Sequence, residues 1–232
     1  MLFRSVADRS PLPVILYNIP QNVPYELPVA IIAELAQHPN IIAIKDSSGS
    51  LERIKAIVEA TRNAPKRTVT VTPIFEAVTE RMLSQVAAQP ASFVPAGDLA
   101  GGPAIAVAPP MAPLKTRTKE VGFQVLTGSA SNIQPSLEAG ASGAILGFGA
   151  CAPEACYEVY FAWKERDPKL AAEKQAAIAK ANVRITAELG IAGVKYACDF
   201  NGYYGGYPRQ PLLPLNAEQK REVERLLAEI RN

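Results

Sequence analysis

Two short apolar segments flank an amphipathic one near the start of the sequence, and this arrangement restricts the fold more than any other feature. Residues 13–17 and 41–45 have the length and apolar character of buried strands, whereas residues 27–36 repeat apolar residues at helical spacing. The two strands end at Tyr17 and Lys45, 28 positions apart, which fits a strand–helix–strand unit of roughly 30 residues. Such units connect parallel strands, so Tyr17 and Lys45 are predicted to lie on the same rim of a sheet.

The same alternation resumes in the second half of the chain. Residues 123–127 and 143–146 are predicted strands, separated by a helix that ends near residue 139. Ser50 and Asp167 are predicted to cap the starts of two further helices, and Pro168 supports the second of these. A last helix is predicted to begin near Asn216. Four strands that alternate with helices predict an α/β fold.

The intervening residues, 64–122, have a different composition. They contain eight prolines together with Pro-Pro and Gly-Gly pairs, and a connection of this length is abnormal inside a compact domain. We therefore expect a low-order insertion at 64–122, between one barrel part at 1–63 and another at 123–232.

Composition excludes several classes of function. The chain has 232 residues and a net charge of +2, which predicts no nucleic-acid partner, and no apolar run is long enough for a membrane span. Three cysteines and a single histidine, His38, predict neither a disulfide framework nor a metal site. His38 is interpreted as a solvated residue at a helix end. Without a signal-peptide pattern at the N-terminus, we expect a cytoplasmic location, with the mitochondrion as the alternative.

Lys45 and Tyr17 are the residues with the clearest chemical potential. Burial at the end of an apolar strand favours the neutral amine of a lysine, which can attack a ketone carbon and form an imine. A phenol on the neighbouring strand could relay a proton. The alternatives are a lysine that extends into solvent and a tyrosine at the rim of the core.

Two glycine-rich segments allow more than one interpretation. Residues 140–147 could cradle a phosphate, although they match neither common phosphate-binding pattern. Close packing of a helix on a strand, with space for a ligand at the strand tip, explains them better. Residues 202–206, GYYGG, could form an aromatic ligand patch or a packed turn.

Several short motifs together resemble one enzyme family. Residues 17–20, YNIP, resemble the Y-N-x-P motif of the Schiff-base-forming class I aldolases of the dihydrodipicolinate synthase / N-acetylneuraminate lyase family, and residues 44–49, IKDSSG, resemble its imine-forming lysine motif. Residues 126–129, LTGS, and 140–145, GASGAI, resemble its last two barrel strands. Residues 200–212 are similar to the tail of the 4-hydroxy-2-oxoglutarate aldolases.

The resemblance implies a (β/α)8 TIM barrel with extra C-terminal helices and an active site at the carboxyl ends of the strands. It implies that Lys45 forms the imine with a 2-oxo acid such as pyruvate and that Tyr17 shuttles the proton, without a metal or an organic cofactor. Ser47, Gly128 and Ile145 match positions that line the substrate pocket. A homo-oligomer is also implied.

Asn22 bears on the choice of substrate. The dihydrodipicolinate synthases usually carry an arginine at this point, which helps to bind the substrate carboxylate, whereas the 4-hydroxy-2-oxoglutarate aldolases look more like this sequence. We therefore favour that aldolase, and keep the 4-hydroxy-tetrahydrodipicolinate synthase reaction as the alternative.

The resemblance covers residues 11–63 and 123–230, and the first of these strands matches the fifth of the family. We therefore expect an incomplete barrel of strands five to eight. The Gly-x-x-Gly-Glu motif that binds the substrate carboxylate in the family does not occur in the 232 residues. This favours an alternative of another class, a catalytically inactive chain that acts as a structural or regulatory subunit.

Overall fold

The structure, a computed structural model, describes residues 2–71 and 116–230. The strands in these residues are β1 (Val14–Asn18), β2 (Ile41–Asp46), β3 (Arg67–Val71), β4 (Arg117–Val121), β5 (Gln124–Thr127) and β6 (Gly143–Ala144). The α-helices are α1 (Leu2–Arg9), α2 (Val29–Leu35), α3 (Leu51–Thr61), α4 (Ile133–Glu138), α5 (Pro153–Lys164), α6 (Pro168–Asn182), α7 (Gly190–Phe200) and α8 (Ala217–Ala228). A π-helical segment, Val183–Glu188, continues α6.

The sheet that carries the predicted site has four parallel strands in the order β1-β2-β5-β6. Helices α2 and α4 connect consecutive strands of this sheet, as the alternating pattern predicts. The α/β class is therefore confirmed. In the described part of the chain the sheet is open, with β1 and β6 at its two edges.

The two faces of this sheet have different environments. Leu16, Ile44 and Val125 are fully buried and join one hydrophobic cluster with residues of α2 and α3. Because side chains alternate along a strand, Tyr17 and Lys45 lie on the opposite face. Burial of each large aliphatic side chain contributes about 1.5–3 kcal/mol, so the helix-covered face holds the strands in register.

A second hydrophobic cluster joins the C-terminal helices to α4 and the turn after β6. The predicted helix starts are confirmed there by local hydrogen bonds. Asp167 accepts from the Leu170 N–H at the start of α6, and Asn216 and Gln219 form a reciprocal capping box at the start of α8. Polar residues at these positions satisfy N–H groups that the helix itself leaves unpaired.

The chain divides into two compact units, residues 1–67 with 120–232, and residues 68–119. The described part of the second unit contributes to a two-stranded sheet of β3 and β4. Both strands fall inside the predicted insertion at 64–122, so its two ends have regular structure. The rest of that segment, 72–115, lies outside the described residues, and its low order stays a prediction.

Some local predictions were wrong. Strand β6 has two residues rather than the four predicted. The helix that begins at Pro168, which the sequence predicts to run to about residue 189, is α-helical to Asn182 and changes to π-helical geometry over Val183–Glu188. His38 is not solvated, because its side chain is 15% exposed and bonded to the Asp8 carboxylate at 2.9 Å. Its Nδ1 also accepts from the Asn40 N–H. This histidine therefore ties the loop before β2 to α1, a helix that the sequence pattern did not reveal.

Candidate functional site

The parallel pairing of β1 with β2 brings Tyr17 and Lys45 directly opposite each other. The Lys45 Nζ lies 4.2 Å from the centroid of the Tyr17 ring, within the range of a cation–π contact. Tyr17 is 51% exposed and Lys45 is partly buried, so the pair is accessible to a small molecule. Their predicted proximity is confirmed, and their catalytic roles stay predictions.

The next residue on each strand points to the buried face and belongs to a polar network. Asn18 and Asp46 are opposite each other, and the Asn18 amide donates to the Asp46 carboxylate at 2.8 Å. Arg53 of α3 donates its Nε–H to the same carboxylate oxygen, also at 2.8 Å. The Asp46 side chain has no exposed surface, and a buried carboxylate needs such a cationic partner.

The loop from β2 to α3 is held by short-range hydrogen bonds. Ser48 donates both its N–H and its hydroxyl to the Asp46 carboxylate, and Ser50 caps α3 by accepting from the Arg53 N–H at 3.2 Å. Gly49 adopts a φ of +79°, which a residue with a side chain rarely takes. The IKDSSG motif thus forms a strand end and a fixed turn, and the start of α3 follows directly after it.

Ser47 and Gly128 come together at the ends of β2 and β5. The Gly128 N–H donates to the Asp46 carbonyl at 2.7 Å, and the two residues lie in direct contact. The Gln21 amide donates to the Ser47 carbonyl at 2.8 Å, so the loop after β1 reaches the same place. The predicted pocket positions Ser47 and Gly128 are therefore adjacent to the Lys45 strand end.

The two other predicted binding residues lie at the periphery of this group. Asn22 is exposed in the loop after β1, where its backbone N–H donates to the Ile19 carbonyl. Ile145 follows β6, is 43% exposed, and donates its N–H to the Thr127 carbonyl. Their role in binding stays a prediction.

The sequence interpretation missed the part played by Asn18, Asp46, Arg53 and Gln21. A signal for two of them was present, because Asn18 and Asp46 directly follow Tyr17 and Lys45 and must therefore face each other on the other side of the sheet. Arg53 and Gln21 could not be identified in this way, since their contacts depend on how α3 and the loop after β1 fold back.

The glycine-rich segment 140–147 shows close packing at its first residue. A β-carbon at Gly140, whose φ is +99°, would lie 2.9 Å from a methyl group of Val58 on α3. In the other glycine-rich segment, the N–H groups of Gly205 and Gly206 donate to the Asp199 carboxylate. This bonding agrees with the packed-turn interpretation of residues 202–206.

Two other classes of site are absent from residues 2–71 and 116–230. Within these ranges, no three or more histidine, cysteine or acidic side chains are grouped so that they could hold a metal ion. The helices there also lack the length and apolar character needed to cross a membrane.

Comparison with known proteins finds relatives among the synthases and the aldolases. The chain is 28% identical over 221 residues to a 4-hydroxy-tetrahydrodipicolinate synthase of Acidiphilium cryptum, a match that covers 95% of this chain and 56% of the relative. It is 29% identical over 226 residues to an L-threo-3-deoxy-hexylosonate aldolase of Aspergillus niger, with the same coverage. The chain thus spans little more than half the length of these curated relatives.

The fold matches a solved structure of the same kind. The crystal structure of YagE from E. coli K12, a prophage protein of the dihydrodipicolinic acid synthase family in complex with pyruvate, superposes with a TM-score of 0.66 and 21% identity. The match covers 98% of this chain and 59% of that one. At this identity the likeness shows the fold, which is the predicted TIM-barrel class.

The family model extends further than the motifs that first indicated it. The Dihydrodipicolinate synthetase family matches residues 1–69 and 110–230, and therefore includes α1, the first three residues of β3 and the whole of β4. Residues 70–109 fall outside the match, within the predicted insertion. Because the match includes most of the sequence, the chain belongs to the Dihydrodipicolinate synthetase family.

Proposed function

We propose that this chain is a Schiff-base lyase of the aldolase type that acts on 2-oxo acids such as pyruvate, with Lys45 as the nucleophile. The observation that carries the proposal is the position of the Lys45 amine over the Tyr17 ring, 4.2 Å from its centroid, at the carboxyl ends of two parallel strands. Active sites of TIM barrels are built at this end of the strands.

The chemistry follows from an amine and a phenol in this arrangement. The neutral Lys45 amine adds to the ketone carbon of the 2-oxo acid, and loss of water gives an imine. Once protonated, the imine withdraws electrons from the neighbouring carbon, so that an adjacent carbon–carbon bond can break or form. The Tyr17 hydroxyl would relay the proton between the substrate and solvent.

Two features of the sequence bear on the choice of substrate. Asn22 in place of the arginine of the synthases, and the C-terminal run 200–212, favour 4-hydroxy-2-oxoglutarate as the substrate. Cleavage would then release pyruvate and glyoxylate. The synthase reaction, in which the pyruvate imine adds to an aldehyde, has equal support from the relatives, since these include both a synthase and an aldolase.

Trapping of the imine tests the proposal. The protein is incubated with pyruvate and borohydride, and peptides are mapped by mass spectrometry for the reduced adduct. We expect the adduct on Lys45, its loss in Lys45→Arg, and its retention in the control Lys55→Arg, which changes an exposed lysine of α3. Folded protein without an adduct would overturn the proposal and favour the non-catalytic alternative.

A second assay separates the two substrates. Pyruvate release from 4-hydroxy-2-oxoglutarate is compared with consumption of pyruvate in the presence of an aldehyde acceptor. Release without consumption supports the aldolase reaction, and the reverse result supports the synthase reaction. Gel filtration of the same samples measures the proposed homo-oligomer.

A further inference from the structure

The buried network behind the Lys45–Tyr17 pair contains an ion pair between Asp46 and Arg53, and its contribution to stability does not by itself explain its presence. Asp46 is fully buried and negatively charged beside Arg53, whose side chain is 11% exposed. Removing two charges from water costs about as much as their attraction returns, so a buried ion pair is weak support for stability. A better explanation for such a buried ion pair is that it fixes one conformation of the chain among several.

The contacts of Asp46 show which conformation is fixed. One carboxylate oxygen accepts from Asn18 of β1 and from Arg53 of α3, and the other accepts from the N–H and hydroxyl of Ser48. The backbone is held as well, because the Asp46 carbonyl accepts from the Gly128 N–H. A single residue therefore connects β1, β2, α3 and the loop after β5.

Arg53 and Asn18 extend the network to the segment before α2. The Arg53 Nη2–H group donates to the Leu27 carbonyl at 2.5 Å, and the Asn18 side-chain oxygen accepts from the Leu27 N–H at 3.0 Å. Arg53 also lies 3.5 Å from the Glu26 carboxylate. The segment that connects Tyr17 to Lys45 is thus held by hydrogen bonds to the Leu27 backbone, just before α2 begins.

We propose that Asp46 is a positioning residue that holds the Lys45 amine over the Tyr17 ring. Alternation along β2 places the Asp46 carboxylate on the opposite face of the sheet from the Lys45 side chain, so it has no contact with the substrate. It acts by fixing the backbone on both sides of the strand end. An amine misplaced by about 1 Å loses on the order of 100-fold in rate. This inference rests on the proposed function.

The test compares Asp46→Asn with Glu222→Gln in the full chain. Glu222 accepts from two N–H groups of Arg184 at 2.9 and 2.8 Å, so the control removes an ion pair of comparable geometry, although a more exposed one, between the π-helical segment and α8. The rate of adduct formation on Lys45 is measured against pyruvate concentration with cyanoborohydride, and corrected for the folded fraction by circular dichroism.

We expect D46N to lower the maximal rate about 10- to 100-fold, with the half-saturating pyruvate concentration changed less than about threefold. E222Q should match the wild type in both values. The exchange Asn18→Asp with Asp46→Asn restores an amide–carboxylate pair and should recover most of the rate. A D46N protein that only melts at a lower temperature and reacts at the wild-type rate would overturn the inference.

A second readout is independent of imine formation with pyruvate. The rate at which reductive methylation by formaldehyde modifies a lysine depends on the exposure and mobility of its side chain. The other lysines of the chain serve as internal standards. We expect the relative methylation rate of Lys45 to rise at least about threefold in D46N, because the Tyr17 ring no longer shields the amine. An unchanged ratio overturns the positioning role, whereas a wild-type chain that forms no pyruvate adduct overturns the proposed function.

Discussion

Gly128 lies so close to Ser47 that a β-carbon at position 128 would stand 2.0 Å from the serine hydroxyl oxygen and 2.9 Å from its β-carbon. Neither distance is compatible with van der Waals contact, so one of the two loops would have to move. Gly128 follows β5 and Ser47 follows the lysine strand β2. The close approach therefore sets the distance between two strand ends at the candidate site.

The substitution Gly128→Ala should destabilise the protein by about 1–3 kcal/mol, as an overpacked position does. Chemical denaturation monitored by circular dichroism measures this. The control is Gly122→Ala, because a β-carbon there meets no atom within 4 Å and the change should stay within about 0.5 kcal/mol. Equal stability of the two variants would contradict the contact. The double variant Gly128→Ala with Ser47→Gly should regain part of the loss.

The sequence predicted the Tyr17–Lys45 pair because two simple rules decide it. Apolar runs of strand length mark the strands, and a crossover connection makes them parallel neighbours, so their last residues meet at one rim. The capping residues Ser50 and Asp167 were also predicted, since each depends on an acceptor side chain within three residues of its donor. A helix start near Asn216 was predicted as well, but its capping box was not.

The sequence did not predict features that depend on distant parts of the chain. Arg53 meets Asp46 only after α3 packs on the sheet, and strand β6 is short because only Leu126 and Thr127 pair with it. The π-helical segment Val183–Glu188 follows α6 without a break. Packing, rather than local propensity, decides such boundaries.

Asn216 should contribute measurably to stability through the capping box of α8. Its side chain accepts from the Gln219 N–H at 2.9 Å, and the Gln219 side chain accepts from the Asn216 N–H at 3.0 Å. We expect Asn216→Ala to lower the free energy of unfolding by about 0.5–2 kcal/mol. Asn216→Ser keeps an acceptor and should retain most of it. A loss of the same size in both variants would contradict capping as the cause.

The buried cysteines should be unreactive in the folded protein. Burial raises the pKa of the Cys151 and Cys156 thiols to about 12, whereas an unfolded cysteine has a pKa of about 8.5. Alkylation by iodoacetamide at about pH 8 should be at least about 100-fold slower in the native chain than in guanidinium, because the thiolate is the reactive form. Peptide mapping measures this, and similar rates in both states would contradict the burial.

The same shift predicts a loss of stability in alkali. A thiol whose pKa is higher in the folded state keeps its proton there after the unfolded chain has released it. The stabilising effect is therefore complete below about pH 8.5 and decreases as the pH rises towards about 12. Denaturation curves at several alkaline pH values should show a shallower decline for Cys156→Ala than for the wild type. Parallel curves would exclude Cys156 as a contributor.

Tyr17→Phe separates the ring of this tyrosine from its hydroxyl group. The ring that lies under the Lys45 amine remains, so trapping of the pyruvate imine should persist within about threefold of the wild type. The turnover rate of the complete aldolase or synthase reaction should fall about 10²- to 10⁴-fold, the range expected when a proton-transfer group is removed. The control Tyr207→Phe changes a tyrosine that is 85% exposed and should leave both rates unchanged. Wild-type turnover in Tyr17→Phe would remove Tyr17 from the proton relay. Loss of trapping together with turnover would instead mean that the hydroxyl is needed to form the imine itself.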